Sequence, residues 1–484
     1  MNPESSVQNL IPRRSFFQQV STGLQGAALT WLLKQDLYAE EKTKPAHQTP
    51  QFGPHHQPRA KSVIHLFMNG GPSQMDLFDP KPYLDKHHGQ DYFQKIAGEV
   101  EFPAQAGAIM RSPFKFAQHG ESGMWVSDIM PHLAEQVDEI TMIRSMYTTN
   151  LTHEPALYKI QSGSEFTGHP SLGAWVSYGL GSENQNLPTY VVLDDPRGLP
   201  VNGIENWQAG FLPAQHQGTR FRATGSPVLN LKPDYEQPSL VTQLERDLIT
   251  RLDRIHQRKR AHHHQLEARI SSYALAARMQ IAASDALDLS QETEETQQQY
   301  GIDQPVTESY GRRCLIARRL VERGVRFVQL FINSQIWDTH SSIASNLKKA
   351  CQRTDQPVAA LLQDLKQRGL LDDTLVMWGG EMGRLPIAQL AANKDASKSG
   401  RDHNKNALCT WMAGGGVKKG LVWGATDELG FAAVENRVSV LDWQTTRLHL
   451  LGLNHEELFI ERNGLKERLT GVGNNPQIIQ GILA

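Results

Sequence analysis

The 484-residue sequence predicts an α/β fold: a mostly parallel central sheet with helices on both faces, interrupted by a helical insertion. Two observations predict it. Residues 62–68, 140–143, 189–193, 325–332, 375–378 and 407–413 are short continuous apolar runs, as expected of strands buried on both faces. Stretches with helical spacing separate most of them, and strands that alternate with helices close into a parallel sheet with crossovers.

The chain opens with Pro12-Arg13-Arg14-Ser15-Phe16-Phe17-Gln18, a twin-arginine pattern, and a mildly apolar stretch over 20–33. About 14 residues are too few to cross a hydrocarbon core of roughly 30 Å. Its Ser, Thr, Gln and Gly suit the low hydrophobicity of twin-arginine signals. Leu37-Tyr38-Ala39 is an imperfect cleavage site. The expectation is a signal over 1–39, export in the folded state and a periplasmic or cell-envelope location. Pro45, Pro50, Pro54 and Pro58 mark residues 40–60 as a linker, and 61–484 as the α/β domain. No later run approaches 18 apolar residues, so no transmembrane segment is expected after signal removal.

The first strand ends in Asn69-Gly70-Gly71-Pro72, a turn carrying polar groups. A helix is expected over 127–137, capped by Ser127 or Asp128, feeding the strand at 140–143; another starts near Leu157. From 239 to about 300, Leu240, Leu244, Leu248 and Leu252 recur at helical spacing and a second helical run covers 266–279. The triplet His262-His263-His264 lies here; consecutive helical residues point in different directions, so it reads as a solvated face. Helices are then expected over 312–323, 357–368 and 441–451, and Gly414-Gly415-Gly416 is a turn.

Lys and Arg total 49 against 51 Asp and Glu, a balance that argues against bulk nucleic-acid binding. Three cysteines, Cys314, Cys351 and Cys409, do not make a disulfide framework. Walker, Rossmann, Gly-x-Ser-x-Gly and His-Glu-x-x-His motifs are missing from the sequence.

Three polar clusters lie beside apolar runs: Trp337-Asp338-Thr339-His340, Gly379-Gly380-Glu381-Met382-Gly383-Arg384 and Gly400-Arg401-Asp402-His403-Asn404. Carboxylates and imidazoles at strand ends are what a divalent metal needs, and imidazole favours zinc, manganese or iron over calcium. Asp338 and His340 stand two apart and project to one side in extended chain, although Asp338 or Thr339 would also cap a helix starting near Ser341. Glu381 follows two glycines, as a ligand or as the ion-pair partner of Arg384. Arg384 and Arg401 are candidates for binding an oxyanion. His403 is a ligand candidate, with Asp402 as ligand or orienting group. Upstream, Ser145, Thr148 and Thr149 are candidate nucleophiles with His153 as acid or base; equally, Thr152 would cap a helix with Glu154 and Pro155 in its first turn.

Together these pieces resemble a large family of exported bacterial proteins of unknown function, sulfatase-like members of the alkaline phosphatase superfamily. The resemblance rests on HLFMNGGPSQMDLFDPKP (65–82), IRSM with its downstream His (143–153), WDTH (337–340), GGEMGR (379–384), GRDHN (400–404), AGGGVKKGLVWGATDELG (413–430) and LHLLGLNHE (448–456). It implies a two-metal hydrolase fold. Asp338, His340 and His403 match the first metal site, while Glu381 and Asn69 stand where the second site has carboxylates. Met382 replaces the second-site His, and Asp76 or Asp402 would have to make up that site. There is no Cys-x-Pro-x-Arg sequence, which argues against a formylglycine nucleophile. The resemblance thus implies one or two ions of Zn, Mn, Fe or Ca and an anionic small-molecule or polysaccharide ester as substrate. A non-catalytic, metal-containing binder of anionic glycans or envelope polymers is the alternative.

Overall fold

A computed structural model describes residues 53–222, 238–258, 264–390 and 398–484. The chain divides into Met1–Gln51 and Phe52–Ala484, and all the described residues belong to the second unit. The twin-arginine segment, most of the 40–60 linker, and His262 and His263 lie outside the described residues.

Among the described residues nine strands form the main sheet: β1 (Ser62–Phe67), β2 (Ile140–Tyr147), β3 (Tyr190–Leu193), β4 (Thr219–Arg220), β5 (Phe327–Phe331), β6 (Thr374–Gly379), β7 (Leu408–Ala413), β8 (Leu421–Trp423) and β9 (Val438–Ser439). Their order is β8-β2-β7-β6-β1-β5-β3-β4, with β9 alongside β2. Among these described strands only β7 runs antiparallel to its neighbours, β2 and β6; their other pairings are parallel. The sheet is therefore the mostly parallel α/β sheet that the apolar runs predict.

Two apolar layers sandwich it. Alternate residues of β1 enter opposite layers, Ile64 and Leu66 on one face and Val63 and Phe67 on the other. The first layer is closed by helices Glu308–Glu322 and Ile343–Gln367, the second by Leu172–Leu180 and Val440–Leu450. Each fully buried Leu, Val or Phe contributes about 1.5–3 kcal/mol relative to exposure. The insertion forms two long helices, α1 (Ser239–Arg258) and α2 (His264–Leu287). Among the described residues no helix is long and apolar enough to cross a membrane.

Three local expectations need correction. Residues 127–137 are not one helix: Ser127 ends the strand Met124–Ser127, and Pro131 opens a single turn, Pro131–Ala134. The helix expected to begin at 357 runs from Ile343 to Gln367 with Pro357 inside it, because Leu347, Ala350, Cys351 and Thr354 carry the buried stripe through the proline. The strand expected to stop at Ile143 continues to Tyr147, since β7 and β9 both pair with Met146.

Candidate metal centre

The ends of three adjacent parallel strands supply the site, as expected of an open α/β sheet. β1 leads into Asn69-Gly70, β5 into the loop holding Asp338 and His340, and β6 into Glu381. Backbone contacts then bring the polar clusters together. Gly383–Arg384 pairs antiparallel with His403–Asn404, setting Arg384 opposite His403, and the Arg401 N–H donates to the Thr339 carbonyl at 3.0 Å. Gly70 has φ +108°, and a Cβ there would lie 2.5 Å from the Asp338 nitrogen, so only glycine fits this crossing. His153 arrives from the other side of the site, as the first residue of the helix His153–Ser162.

His153, Asp338, His340 and His403 form a cluster whose ligand atoms all lie within 4.8 Å of one another. Nε2 of His340 and of His403 lie 2.8 and 3.3 Å from Asp338 Oδ1, and His153 Nε2 lies 3.5 Å from Oδ2. The opposite nitrogen of each ring faces an acceptor: His153 Nδ1 donates to Glu381 Oε1 at 2.7 Å, His340 Nδ1 to Gln389 Oε1, and His403 Nδ1 to Glu101 Oε2. A carboxylate offers no proton, so Glu381 and Glu101 fix the proton of their imidazoles on Nδ1. Gln389 is held in the same sense by donating to Gln105 Oε1 at 2.8 Å. All three Nε2 lone pairs consequently point at one carboxylate.

With neutral imidazoles and no cation this arrangement is repulsive. His340 Nε2 and His403 Nε2 lie 3.0 Å apart, and among the described residues the buried His153 Nε2 has no hydrogen-bond partner. Counted with neutral imidazoles and among the described residues, Asp338, Glu381 and Glu101 outnumber the single guanidinium in contact, Arg384, by two charges. The local field shows the same excess. Burial pulls His153 down, but Asp338 and Glu381 outweigh it and raise the imidazole to about 9. Burial likewise opposes ionisation of Asp338, yet Arg384 and the three imidazoles hold it well below the usual carboxylate range. Three imidazoles and one carboxylate fit a divalent zinc, manganese or iron ion, whose charge would cancel that excess.

Other sequence candidates are placed differently. Glu381 is fully buried and sits behind His153, accepting from the Gly70 N–H at 2.9 Å. Arg384 contacts Asp338 at 2.6 Å and the carbonyls of Gly70, Gly71 and Arg401; it does not pair with Glu381. Arg401 and Asp76 form a fully buried two-point ion pair at 2.7 and 3.2 Å. Asp402 Oδ1 and Oδ2 accept the N–H groups of His403 and Phe102, both at 2.8 Å, although Glu101, Asp402 and His403 also approach one another within 4.8 Å. Asn69 donates to the Ile332 and Ser334 carbonyls, and its buried Oδ1 has no partner among the described residues. Ser145 lies inside β2 and donates to the Asn436 carbonyl at 2.7 Å. Thr148, just beyond β2, is buried, and its hydroxyl has no partner among the described residues.

Four contributors escaped sequence reasoning: Glu101, Phe102, Gln389 and Gln105. Phe102 sets its ring edge-on against His340 and His403, with centroids 5.3 and 6.4 Å away. Glu101-Phe102 and Gln105 lie in a segment with no strand or cluster signal, and Gln389 follows an ordinary apolar stretch.

Solved structures that the chain matches include a lipoteichoic acid synthase from Listeria monocytogenes (10% identity, TM-score 0.37, covering 90% of this chain and 78% of that one), a sulfatase from Pseudoalteromonas sp. (12%, 0.36, 87% and 73%) and a phosphonate monoester hydrolase from Silicibacter pomeroyi (10%, 0.33, 86% and 77%). No curated protein matches the sequence. Residues 60–483 match the family described as "Protein of unknown function (DUF1501)", a span that includes the strands, loops and candidate ligand residues above; the chain belongs to that family.

Proposed function

We propose that the protein is a metal-dependent hydrolase of phosphate or sulfate esters that acts outside the cytoplasm. One observation carries this reading: three imidazole Nε2 atoms converge on Asp338 while every Nδ1 is held from behind. When bound, a divalent ion in such a site supplies Lewis acidity toward an ester oxygen and lowers the pKa of a hydroxyl or water. His153, Asp338, His340 and His403 would hold it; Glu381, Gln389 and Glu101 orient the imidazoles. His153 thus serves as a ligand rather than as the free acid or base that its sequence position suggests. Thr148, with its buried unpartnered hydroxyl, is the side-chain nucleophile candidate beside water. One ion is favoured over two, because Asp76 is committed to Arg401, Asn69 to backbone carbonyls and Glu381 to His153. The twin-arginine pattern and the motif resemblance support export and anionic ester substrates.

The alternative, a non-catalytic metal-containing binder of anionic polymers, draws on a different observation. Arg384 and Arg401 are fully buried and bonded within the protein, so neither is placed to grip a substrate oxyanion. A panel of aryl phosphate, phosphodiester and sulfate esters, assayed with zinc, manganese or iron beside Asp338→Ala, separates the readings. Turnover by the wild type that Asp338→Ala loses supports the hydrolase. Metal binding with no turnover across the panel supports the binder.

A further inference from the structure

Among the described residues the buried arginines are Arg313, Arg318, Arg319, Arg384, Arg401 and Arg447. The first five each meet a carboxylate: Asp195, Asp364, Glu292, Asp338 and Asp76 in that order. Arg447 differs. It stands on the helix Val440–Leu450, which closes the second apolar layer, and its Nε, Nη1 and Nη2 are all buried with no hydrogen-bond partner among the described residues. Burial opposes its charge, and no carboxylate among those residues acts the other way. Buried charges in proteins are paired, and a guanidinium does not escape by giving up its proton.

The surroundings of Arg447 add donors. The Trp443 ring lies 3.5 Å from its Cζ, a stacking that favours the cation but takes up none of its five N–H groups. His65 of β1 sets its own ring against the same Trp443, with centroids 6.2 Å apart. Gln329 Nε2, which can only donate, lies 3.3 Å from His65 Nδ1. Nδ1 therefore accepts, and the proton of the neutral ring sits on Nε2. Burial first, and then the Arg447 charge, keep that ring neutral. His65 Nε2 is buried without a partner among the described residues, and so is Nε2 of Gln161, whose Oε1 accepts from Gln329 at 2.9 Å. Gln444, one turn before Arg447, spends its amide nitrogen on the Ile160 carbonyl at 2.9 Å, and its Oε1 is unpartnered too. That neutral oxygen could take one N–H and would leave the charge uncancelled. One negative charge cancels a guanidinium, and a spherical ion accepts several N–H groups without a preferred direction.

We infer that Arg447 binds a small monovalent anion of about chloride's size inside the second apolar layer, beside His65. The site shares no residue with the metal cluster. Thermal unfolding of the purified full chain tests it, with chloride replacing gluconate at constant ionic strength. The wild-type midpoint rises about 1–2 °C for each tenfold increase in chloride beyond half-saturation, because the ion binds the folded state alone. Arg447→Met, similar in length but uncharged, shows no chloride dependence. Wild-type crystals soaked in bromide show anomalous density within hydrogen-bond reach of the guanidinium, a result that decides alone if Arg447→Met does not fold. A wild-type midpoint that chloride does not move, or an equal shift in Arg447→Met, would overturn the inference. So would crystals in which water, or a carboxylate from residues 1–52, sits on the guanidinium in place of bromide.

Discussion

Two buried polar groups lie side by side at the end of the sheet, built from the same kinds of residue. Around Arg401, guanidinium and carboxylate satisfy each other: Asp76 takes two contacts, and the carbonyls of Leu385 and Met110 take the rest. Around Asp338, the three imidazoles are anchored from outside and their inner nitrogens are left facing one carboxylate. The first group is electrostatically closed and the second is not. Charge alone therefore does not mark a functional site. What marks it is donor capacity that neighbouring residues hold in place without using up.

The contrast fails first at Asp338. Asp338→Ala removes the only carboxylate among the four converging residues, and is expected to abolish stoichiometric metal binding and any ester hydrolysis while the fold persists by circular dichroism. Asp76→Ala does the opposite. It strands a buried Arg401, and unpairing a buried ion pair costs about 3–5 kcal/mol, read as a lower denaturation midpoint. Glu381→Gln keeps an acceptor behind His153 but removes its charge; orienting partners of this kind are worth about 10–100-fold in metal affinity, measurable by calorimetry. Ser145→Ala, by contrast, removes a neutral hydrogen bond to the Asn436 carbonyl. It should cost about 1 kcal/mol of stability and leave metal affinity unchanged.

The sequence revealed some of this more readily than the rest. Apolar runs located the sheet because strands buried on both faces cannot tolerate polar residues, and strand ends pointed to Asp338, His340 and His403. Ser145 was misplaced because a strand's end depends on its neighbours: β7 and β9 extend β2 past Ile143. Arg384 and Arg401 looked available because a sequence does not show that Asp338 and Asp76 fold against them. Glu101 and Gln389 carry no local pattern, as a residue that orients a ligand needs only to reach it in space. The ligand role proposed for His153 depends on a contact with Glu381, 228 positions away in the chain.

Metal analysis of the purified wild type beside Asp338→Ala tests the central claim most directly. One equivalent of zinc, manganese or iron in the wild type, lost in a folded Asp338→Ala, is the predicted result. A folded wild type that takes up no divalent metal even when it is supplied, or an Asp338→Ala variant that retains a full equivalent, would contradict it.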